Sequence, residues 1–167
     1  MQHAYLLLGS NLGNRLAYLQ AARQEISQLC GPLLAASSIY ETEAWGLTNQ
    51  PSFYNQAICI TTELAPPILM QTLLQIEASL HRVRTQQYGS RTIDIDILLI
   101  DAEVSNTPLL QLPHPALPQR RFALIPLSEI APQLLHPIAR LTVTELLHQC
   151  TDTLAVQKIK ADNEVCH

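Results

Sequence analysis

The stretch Asp94-Ile95-Asp96 carries the strongest chemical signal in the sequence. It lies in a run of β-forming residues, 92–101, that predicts a strand. Alternate residues of a strand point to the same face, so both carboxylates share one face with Cα atoms roughly 6.5–7 Å apart. Two carboxylates at this separation repel each other unless a cation lies between them. The spacing predicts binding of one or two Mg²⁺ ions, and the alternative is an ordinary exposed strand face.

Basic residues flank this pair in two groups. Arg82, Arg84 and Arg91 precede it in a loop that holds no acidic residue. Arginine forms bidentate hydrogen bonds with phosphate oxygens and stays charged, so this loop predicts closure over a polyphosphate. The alternative is a solvated basic loop. A second group follows the strand, with His114 held between two prolines and Arg120-Arg121 shortly after it.

Phe53, Asn55 and Phe122 form a candidate recognition set for a flat heterocycle. The chain has only eight aromatic residues other than histidine, two of them phenylalanine. A ring could stack between the two phenylalanines while the Asn55 amide bonds to its polar edge. Taken singly, each phenylalanine is more typical of a core position than of a binding site. Glu77, on a predicted helix, is either an ion-pair partner of Arg84 or a ligand contact.

These residues need a scaffold, and the hydrophobic pattern supplies one. It predicts strands at 4–8, 33–40, 53–62 and 92–101, with a possible short strand at 109–112. It predicts helices from the Asn11 cap to Gly31, from Pro66-Pro67 to Leu80, over 120–130 and over 143–150. The order β-α-β-β-α-β, with both helices on one face, predicts a ferredoxin-like α+β sandwich with extra C-terminal helices. The tail, 151–167, is expected to be weakly ordered.

Composition excludes several classes of protein. The 167 residues suit one domain spanning 1–167, and a net charge of −4 argues against a general nucleic-acid binder. The apolar runs are too short to span a membrane, and the first residues lack the pattern of a secretory signal, so we expect a cytoplasmic protein. Both lysines, Lys158 and Lys160, lie in the last ten residues, which excludes a P-loop and a protein-kinase site.

Several motifs along residues 4–132 share their order with a known family. They are Leu8–Asn14, Ser38–Thr42, Gln50–Ala57, Ile76-Glu77, Arg82–Arg84, Gly89–Leu98, Leu112–Pro115, Arg120–Phe122 and Pro126–Pro132. Together they resemble the 6-hydroxymethyl-7,8-dihydropterin pyrophosphokinase family of folate biosynthesis. The resemblance implies a ferredoxin-like fold and use of ATP with two Mg²⁺. It also implies transfer of the β,γ-diphosphate to the pterin hydroxymethyl group, with release of AMP.

The resemblance further implies a role for each matching position. The implied metal ligands are Asp94 and Asp96, and Arg82 and Arg91 join them as catalytic residues. The implied ATP contacts are Glu77, Arg84, Arg91, His114 and Arg120, and the implied pterin contacts are Thr42, Phe53, Asn55 and Phe122. The expected partners are ATP and the pterin alcohol alone, with no nucleic acid and no membrane, and we expect a monomer.

Two other classes of function stay open on the sequence. A nucleotidyltransferase also places Gly-Ser near an Asp-x-Asp pair, but there the motifs lie roughly a dozen residues apart, whereas Ser10 and Asp94 are far apart here. A non-catalytic ferredoxin-like module that binds RNA needs aromatic residues on its strands. The predicted strand 92–101 carries two acidic residues there instead.

Overall fold

A computed structural model describes residues 1–43, 51–81 and 92–159 as a mixed α/β fold. In this part of the chain the helices are α1 (Arg15–Leu29), α2 (Pro66–Ser79), α3 (Arg121–Ile130) and α4 (Val143–Gln149), with a short 3₁₀ helix at Leu117–Gln119. The strands are β1 (Gln2–Ser10), β2 (Leu33–Ala36), β3 (Tyr40–Thr42), β4 (Phe53–Thr62), β5 (Asp94–Ile100), β6 (Ser105–Asn106), β7 (Gln111–Leu112) and β8 (Val156–Lys158). No helix among these residues has the length and apolar character needed to cross a membrane.

The main sheet is antiparallel and places β4 at its centre, where it pairs with β1, β2 and β3. Its order is β5-β1-β4-β3-β8, and β2 also pairs with β4. The predicted strand 53–62 and the predicted helix that opens at Pro66-Pro67 are confirmed. β6 and β7 form a separate two-stranded hairpin.

Each face of the sheet is covered by a different pair of helices. Against one face, α1 and α2 pack apolar side chains, among them Leu19, Ile26 and Leu73. Against the other face, α3 and α4 bury Leu124 and Leu146 over the sheet. Strand residues alternate between the two cores, as the pleat of a strand requires.

Two predictions about local structure are corrected. The predicted strand 33–40 is two strands, because Ser37 leaves the regular ladder: its Oγ accepts a hydrogen bond from the Ala57 N–H at 3.0 Å. The predicted helix cap, Asn11, is not the cap. Asn14 caps α1 by accepting from the Ala17 N–H at 3.1 Å. The Asn11 amide instead donates to the Pro51 carbonyl at 3.0 Å and so joins β1 to the start of β4.

The C-terminal tail is more ordered than expected over part of its length. Residues 156–158 form β8, which pairs with β3 at the edge of the sheet. The Thr42 hydroxyl donates to the Ala155 carbonyl at 2.9 Å, and this bond helps to hold the strand in place. The weak order expected for these residues is therefore corrected, because an unpaired edge of β3 offers backbone partners that the sequence pattern does not reveal.

Candidate active site

One row of residues crosses the sheet near the C-terminal end of β1. Gly9 of β1 lies opposite Asp94 on one side and opposite Asn55 on the other. Asn55 in turn lies opposite Tyr40 of β3. Residues directly opposite each other in an antiparallel pair share a face, so these side chains lie on the side of the sheet that faces α3.

The two aspartates occupy the face that the sequence predicts. Asp94 and Asp96 are partly exposed, whereas Ile95 and Ile97 between and beyond them are each only 3% exposed and join the core under α1 and α2. Burial of the isoleucines holds the strand in this register, because a shift by one residue would place both carboxylates in that core. The alternation thus fixes two carboxylates on one side of β5.

Glu77 approaches this strand from the opposite side. Its side chain is 3% exposed, and its carboxylate accepts a hydrogen bond from the Ile95 N–H at 2.7 Å. The bond reaches the backbone midway between the two aspartates. The two roles left open for Glu77 stay predictions, because Arg84 lies outside the described residues. The bond from Ile95 adds a structural role, since it joins α2 to the centre of the Asp94–Asp96 segment.

Gly9 provides the space that Asn55 occupies. A Cβ atom at position 9 would lie 2.7 Å from Asn55 Oδ1 and 3.5 Å from Phe53 Cδ1. Any side chain at this position would therefore collide with the amide. Phe53 and Asn55, two residues apart on β4, consequently stand together over the glycine, as their predicted pairing requires.

Phe122 lies in the first turn of α3, on the same side of the sheet. Its ring packs at the border of the core beneath α3 and α4, and the Arg120 guanidinium lies 5.6 Å from the ring centroid. Phe122 is partly exposed, so it is neither a fully buried core residue nor a fully solvated one. The helix thus brings an aromatic ring and a cation to the side of the sheet that carries Asn55 and Asp94.

His114 is electrostatically coupled to two other predicted site residues. Burial and the nearby Arg120 guanidinium together lower the pKa of His114 to about 4, although the Asp94 carboxylate acts in the opposite direction. The imidazole is therefore neutral at pH 7. Its Nδ1 accepts a hydrogen bond from the Ala116 N–H at 3.2 Å, so the proton resides on Nε2. The sequence groups His114 with the basic residues, whereas in this setting it is a neutral donor.

Thr42 belongs to the same neighbourhood, but its hydroxyl has a structural partner. Thr42 lies opposite Phe53, is 4% exposed, and donates its hydroxyl proton to the Ala155 carbonyl. That hydroxyl hydrogen is used to hold the chain next to β8. The predicted site residues Arg82, Arg84 and Arg91 lie outside the described residues.

Sequence reasoning missed a cluster around Arg15, on the opposite side of β4 from Phe53. Arg15 donates through one guanidinium nitrogen to the Ser52 carbonyl at 3.0 Å and to Ser52 Oγ at 2.9 Å. The same nitrogen lies 3.7 Å from the Glu41 carboxylate, and the guanidinium stacks 3.7 Å from the Tyr54 ring centroid. Arg15 therefore fixes the residue that precedes Phe53. A cation at the start of α1 gives no sequence signal for this role, because its partners Glu41, Ser52 and Tyr54 lie far from it along the chain.

Comparison with known proteins points to one family. The family model described as 7,8-dihydro-6-hydroxymethylpterin-pyrophosphokinase (HPPK) matches residues 5–132. The chain is 43% identical over 148 residues to a 2-amino-4-hydroxy-6-hydroxymethyldihydropteridine pyrophosphokinase of Methylorubrum extorquens, covering 88% of this chain and 92% of that protein. It is 39% identical over 145 residues to the protein of the same name from Aquifex aeolicus, covering 87% and 90%.

Solved structures share the fold. A wild-type HPPK-DHPS from Plasmodium falciparum has a TM-score of 0.70 at 16% identity, covering 89% of this chain and 44% of that chain. An HPPK-DHPS in complex with substrates has a TM-score of 0.69 at 15% identity, covering 88% and 43%. The chain thus spans less than half of these longer proteins.

Proposed function

The chain belongs to the 7,8-dihydro-6-hydroxymethylpterin-pyrophosphokinase family, and from this premise we propose which of its residues carry the reaction. The enzyme transfers the diphosphoryl group of ATP to the hydroxymethyl group of 6-hydroxymethyl-7,8-dihydropterin in folate synthesis. One observation carries the assignment of the site. Asp94 and Asp96 share the face of the sheet on which Asn55 lies opposite Gly9.

Asp94 and Asp96 are proposed as the protein ligands of two Mg²⁺ ions. Among the described residues, no third His, Cys, Asp or Glu completes a metal-binding group with them. This donor set fits Mg²⁺, which keeps several waters and binds through one or two carboxylates together with substrate phosphates. When bound, Mg²⁺ neutralises the polyphosphate and polarises the attacking hydroxyl. The role of the protein is to hold two carboxylates at a fixed spacing, which Ile95 and Ile97 achieve by their burial.

The pterin is proposed to bind between Phe53 and Phe122. A flat ring gains stacking energy from both faces, and the Asn55 amide supplies one acceptor and two donors for its polar edge. The support is that Phe53 and Asn55 stand together over Gly9 while α3 brings Phe122 to the same side of the sheet. Thr42 lies opposite Phe53, and its hydroxyl already donates to the Ala155 carbonyl. We therefore propose that Thr42 contributes to the pterin site through its backbone.

The nucleotide is proposed to lie along His114 and Arg120, with Glu77 supporting the strand beneath. Arg120 offers a permanent charge with a planar donor geometry, whereas neutral His114 offers a single Nε2–H donor. Arg82, Arg84 and Arg91 are proposed as further phosphate contacts on the strength of their positions in the family motifs.

In the proposed reaction, the pterin hydroxyl oxygen forms a bond to the β-phosphorus of ATP. The bond between that phosphorus and the oxygen bridging to the α-phosphorus breaks, AMP departs with that oxygen, and the hydroxyl proton is released to water. Charge spreads over phosphoryl oxygens, so the protein acts chiefly by positioning both substrates and by placing cations near that charge. No side chain is assigned as a general base.

Two finer assignments accompany this proposal. The ferredoxin-like description is supported by the order β5-β1-β4-β3 and by α1 and α2 packing on one face. We also propose that the protein acts as a monomer.

A product assay tests the proposed function. The purified protein is incubated with ATP and Mg²⁺, with and without the reduced pterin alcohol, and the nucleotide products are separated. We expect AMP to form together with the pterin diphosphate only when the pterin is present. Release of inorganic pyrophosphate would indicate a nucleotidyltransferase, and binding of ATP without turnover would indicate a non-catalytic module.

A further inference from the structure

Glu129, near the C-terminal end of α3, bonds to the segment that joins β2 to β3. One carboxylate oxygen accepts from the Ser38 N–H and from Ser38 Oγ, both at 3.0 Å. The other oxygen accepts from the Tyr40 hydroxyl at 2.6 Å. Three hydrogen bonds to one carboxylate are stronger than the same bonds to a neutral acceptor. This single side chain therefore ties α3 to the edge of the sheet.

We call the bonds from Glu129 to Ser38 and Tyr40 the Glu129 tie. The residues at both ends of this tie lie near the proposed pterin site. Glu129 follows Phe122 by seven residues, two helical turns, so the two side chains lie on the same face of α3, roughly 10 Å apart along its axis. At the other end, Tyr40 lies directly opposite Asn55 on β4. The Tyr40 side chain is 9% exposed, so its position is fixed by its surroundings.

The charge state of the tie agrees with its geometry. The hydrogen bonds from Tyr40 and Ser38 hold the pKa of Glu129 below its ordinary value, although partial burial of the carboxyl acts in the opposite direction. Burial, together with the Glu129 carboxylate, raises the pKa of Tyr40. At neutral pH the tie therefore consists of a carboxylate and a protonated phenol, the combination that gives a short charge-assisted bond.

Other contacts of α3 do not set the distance between helix and sheet so specifically. Leu124 and Leu127 are fully buried under the helix. Apolar packing tolerates small shifts of a helix along its neighbours, whereas hydrogen bonds weaken outside a narrow range of distance and angle. The Arg121 N–H, at the start of α3, donates to Asp152 at 3.1 Å, which anchors that end to the tail rather than to the sheet.

We propose that Glu129 is a positioning residue for the pterin. Through Ser38 and Tyr40 it sets the separation between the Phe122 side and the Phe53–Asn55 side of the pterin site. The inference rests on the proposed function and extends it to a residue that does not touch the substrate. If the pterin site is too wide, the pterin ring loses stacking on one of its faces. Binding of the pterin should then weaken, whereas binding of ATP should not.

The test compares Glu129→Gln, Tyr40→Phe and the double variant with the parent protein. Glu129→Gln keeps the shape of the side chain and removes its charge, and Tyr40→Phe removes only the hydroxyl. Glu63→Gln is the matched control, because Glu63 is an exposed acid beyond the far end of β4. For each protein, KM for the pterin alcohol, KM for ATP, kcat and the thermal midpoint are measured.

We expect KM for the pterin to rise about tenfold in Glu129→Gln, the loss that follows from weakening a charge-assisted hydrogen bond. KM for ATP should stay within about twofold, and Glu63→Gln should match the parent. The two substitutions share the Glu129–Tyr40 bond, so the double variant should lose less than the product of the separate losses.

Three results would overturn the inference. Unchanged KM for the pterin in both single variants would show that the tie does not position the site. Equal losses for pterin and ATP would show general loosening of the fold. Fully multiplicative losses would show that the two residues act separately. If Glu129→Gln fails to fold, Tyr40→Phe decides alone, since it leaves the bonds to Ser38 intact. A parent protein that does not turn over the pterin would contradict the proposed function instead.

Discussion

The two faces of one sheet differ sharply, although the same strands supply both. The face toward α1 and α2 is apolar along most of its length, with buried residues at Leu6, Leu8, Ile58, Ile60, Ile95 and Ile97. The face toward α3 and α4 is apolar only over part of its length, where Leu7, Ala57 and Leu98 are buried. The rest of this face carries Gly9, Asn55, Asp94 and Asp96, with Asp96 directly opposite Leu7.

The difference shows that neighbouring residues of one strand can have separate roles. In β5 the isoleucines contribute to stability, and the aspartates that alternate with them are available for chemistry. Each isoleucine of β5 contributes about 1.5–3 kcal/mol by leaving water, and each neighbouring aspartate is thereby held in a fixed position. The carboxylates themselves add little to stability, because they repel each other. The apolar face therefore fixes the position of β5, and the polar face carries the side chains proposed for the reaction. Substitutions on the two faces should affect different measurements.

The largest effect is expected on the polar face. Asp96→Ala should lower kcat by about a thousandfold or more, because a charged metal ligand stabilises the transition state by several kcal/mol. The free energy of unfolding should change by less than about 1 kcal/mol, since the side chain points away from the apolar core. Steady-state assays with ATP and Mg²⁺, together with urea unfolding, check both values. Retention of near-normal kcat would contradict the metal assignment.

The neighbouring position on the apolar face should behave in the opposite way. Ile97→Ala should lower the free energy of unfolding by about 2–5 kcal/mol through lost burial and a residual cavity. At a temperature where the variant is folded, kcat should stay within a few-fold of the parent value. A large loss of kcat in folded Ile97→Ala would show that the two faces are not separable at this strand.

An intermediate effect is expected where the polar face meets α3. Phe122→Ala should weaken pterin binding by about 1–3 kcal/mol, by analogy with stacking of bases on aromatic side chains. Affinity for a non-hydrolysable ATP analogue should change little. Calorimetric titration with each ligand measures the two effects, and Leu124→Ala, a buried position on the same helix, serves as the control. Equal weakening of both ligands by Phe122→Ala would indicate that the ring is a core residue.

The smallest effect is expected in the connection between α3 and α4, at residues 131–142. His136 is buried, and its Nδ1 accepts from the N–H groups of Ile138 and Ala139 at 3.2 and 2.9 Å. Burial lowers the pKa of His136, so the unfolded chain binds a proton more readily than the folded protein. Stability contributed by the neutral form is present above the unfolded pKa, about 6.5, and is lost as the pH falls below it.

Urea unfolding between pH 7.5 and pH 5 checks this expectation. The parent protein should lose stability over this range, and His136→Gln should flatten the part of the slope that this group causes. His148→Gln, at an exposed position on α4, is the matched control. An identical slope in the parent protein and in His136→Gln would show that the buried imidazole is not responsible.

Local patterns in the sequence determined the elements and the division of β5 between two faces. The run 53–62 and the Pro66-Pro67 start predicted β4 and α2 because β-propensity, proline geometry and periodicity act within a few residues. The same is true of Asp94 and Asp96, whose common face follows from strand alternation alone. The family motifs then identified the reaction, since they specify the chemistry of a site rather than its packing.

Tertiary structure decided what depends on residues far apart in the chain. The sequence placed His114 among basic residues, yet its burial beside Arg120 makes it a neutral donor. The sequence expected a weakly ordered tail, yet β3 offers an edge to which residues 156–158 pair. Glu129 lies in the motif Pro126–Pro132, but the motif does not show its partners Ser38 and Tyr40, which only the packing of α3 on the sheet brings to it. The charge state of a side chain, the pairing of an edge strand and long-range hydrogen bonds all depend on which surfaces of the protein meet. Local sequence patterns do not show which surfaces these are.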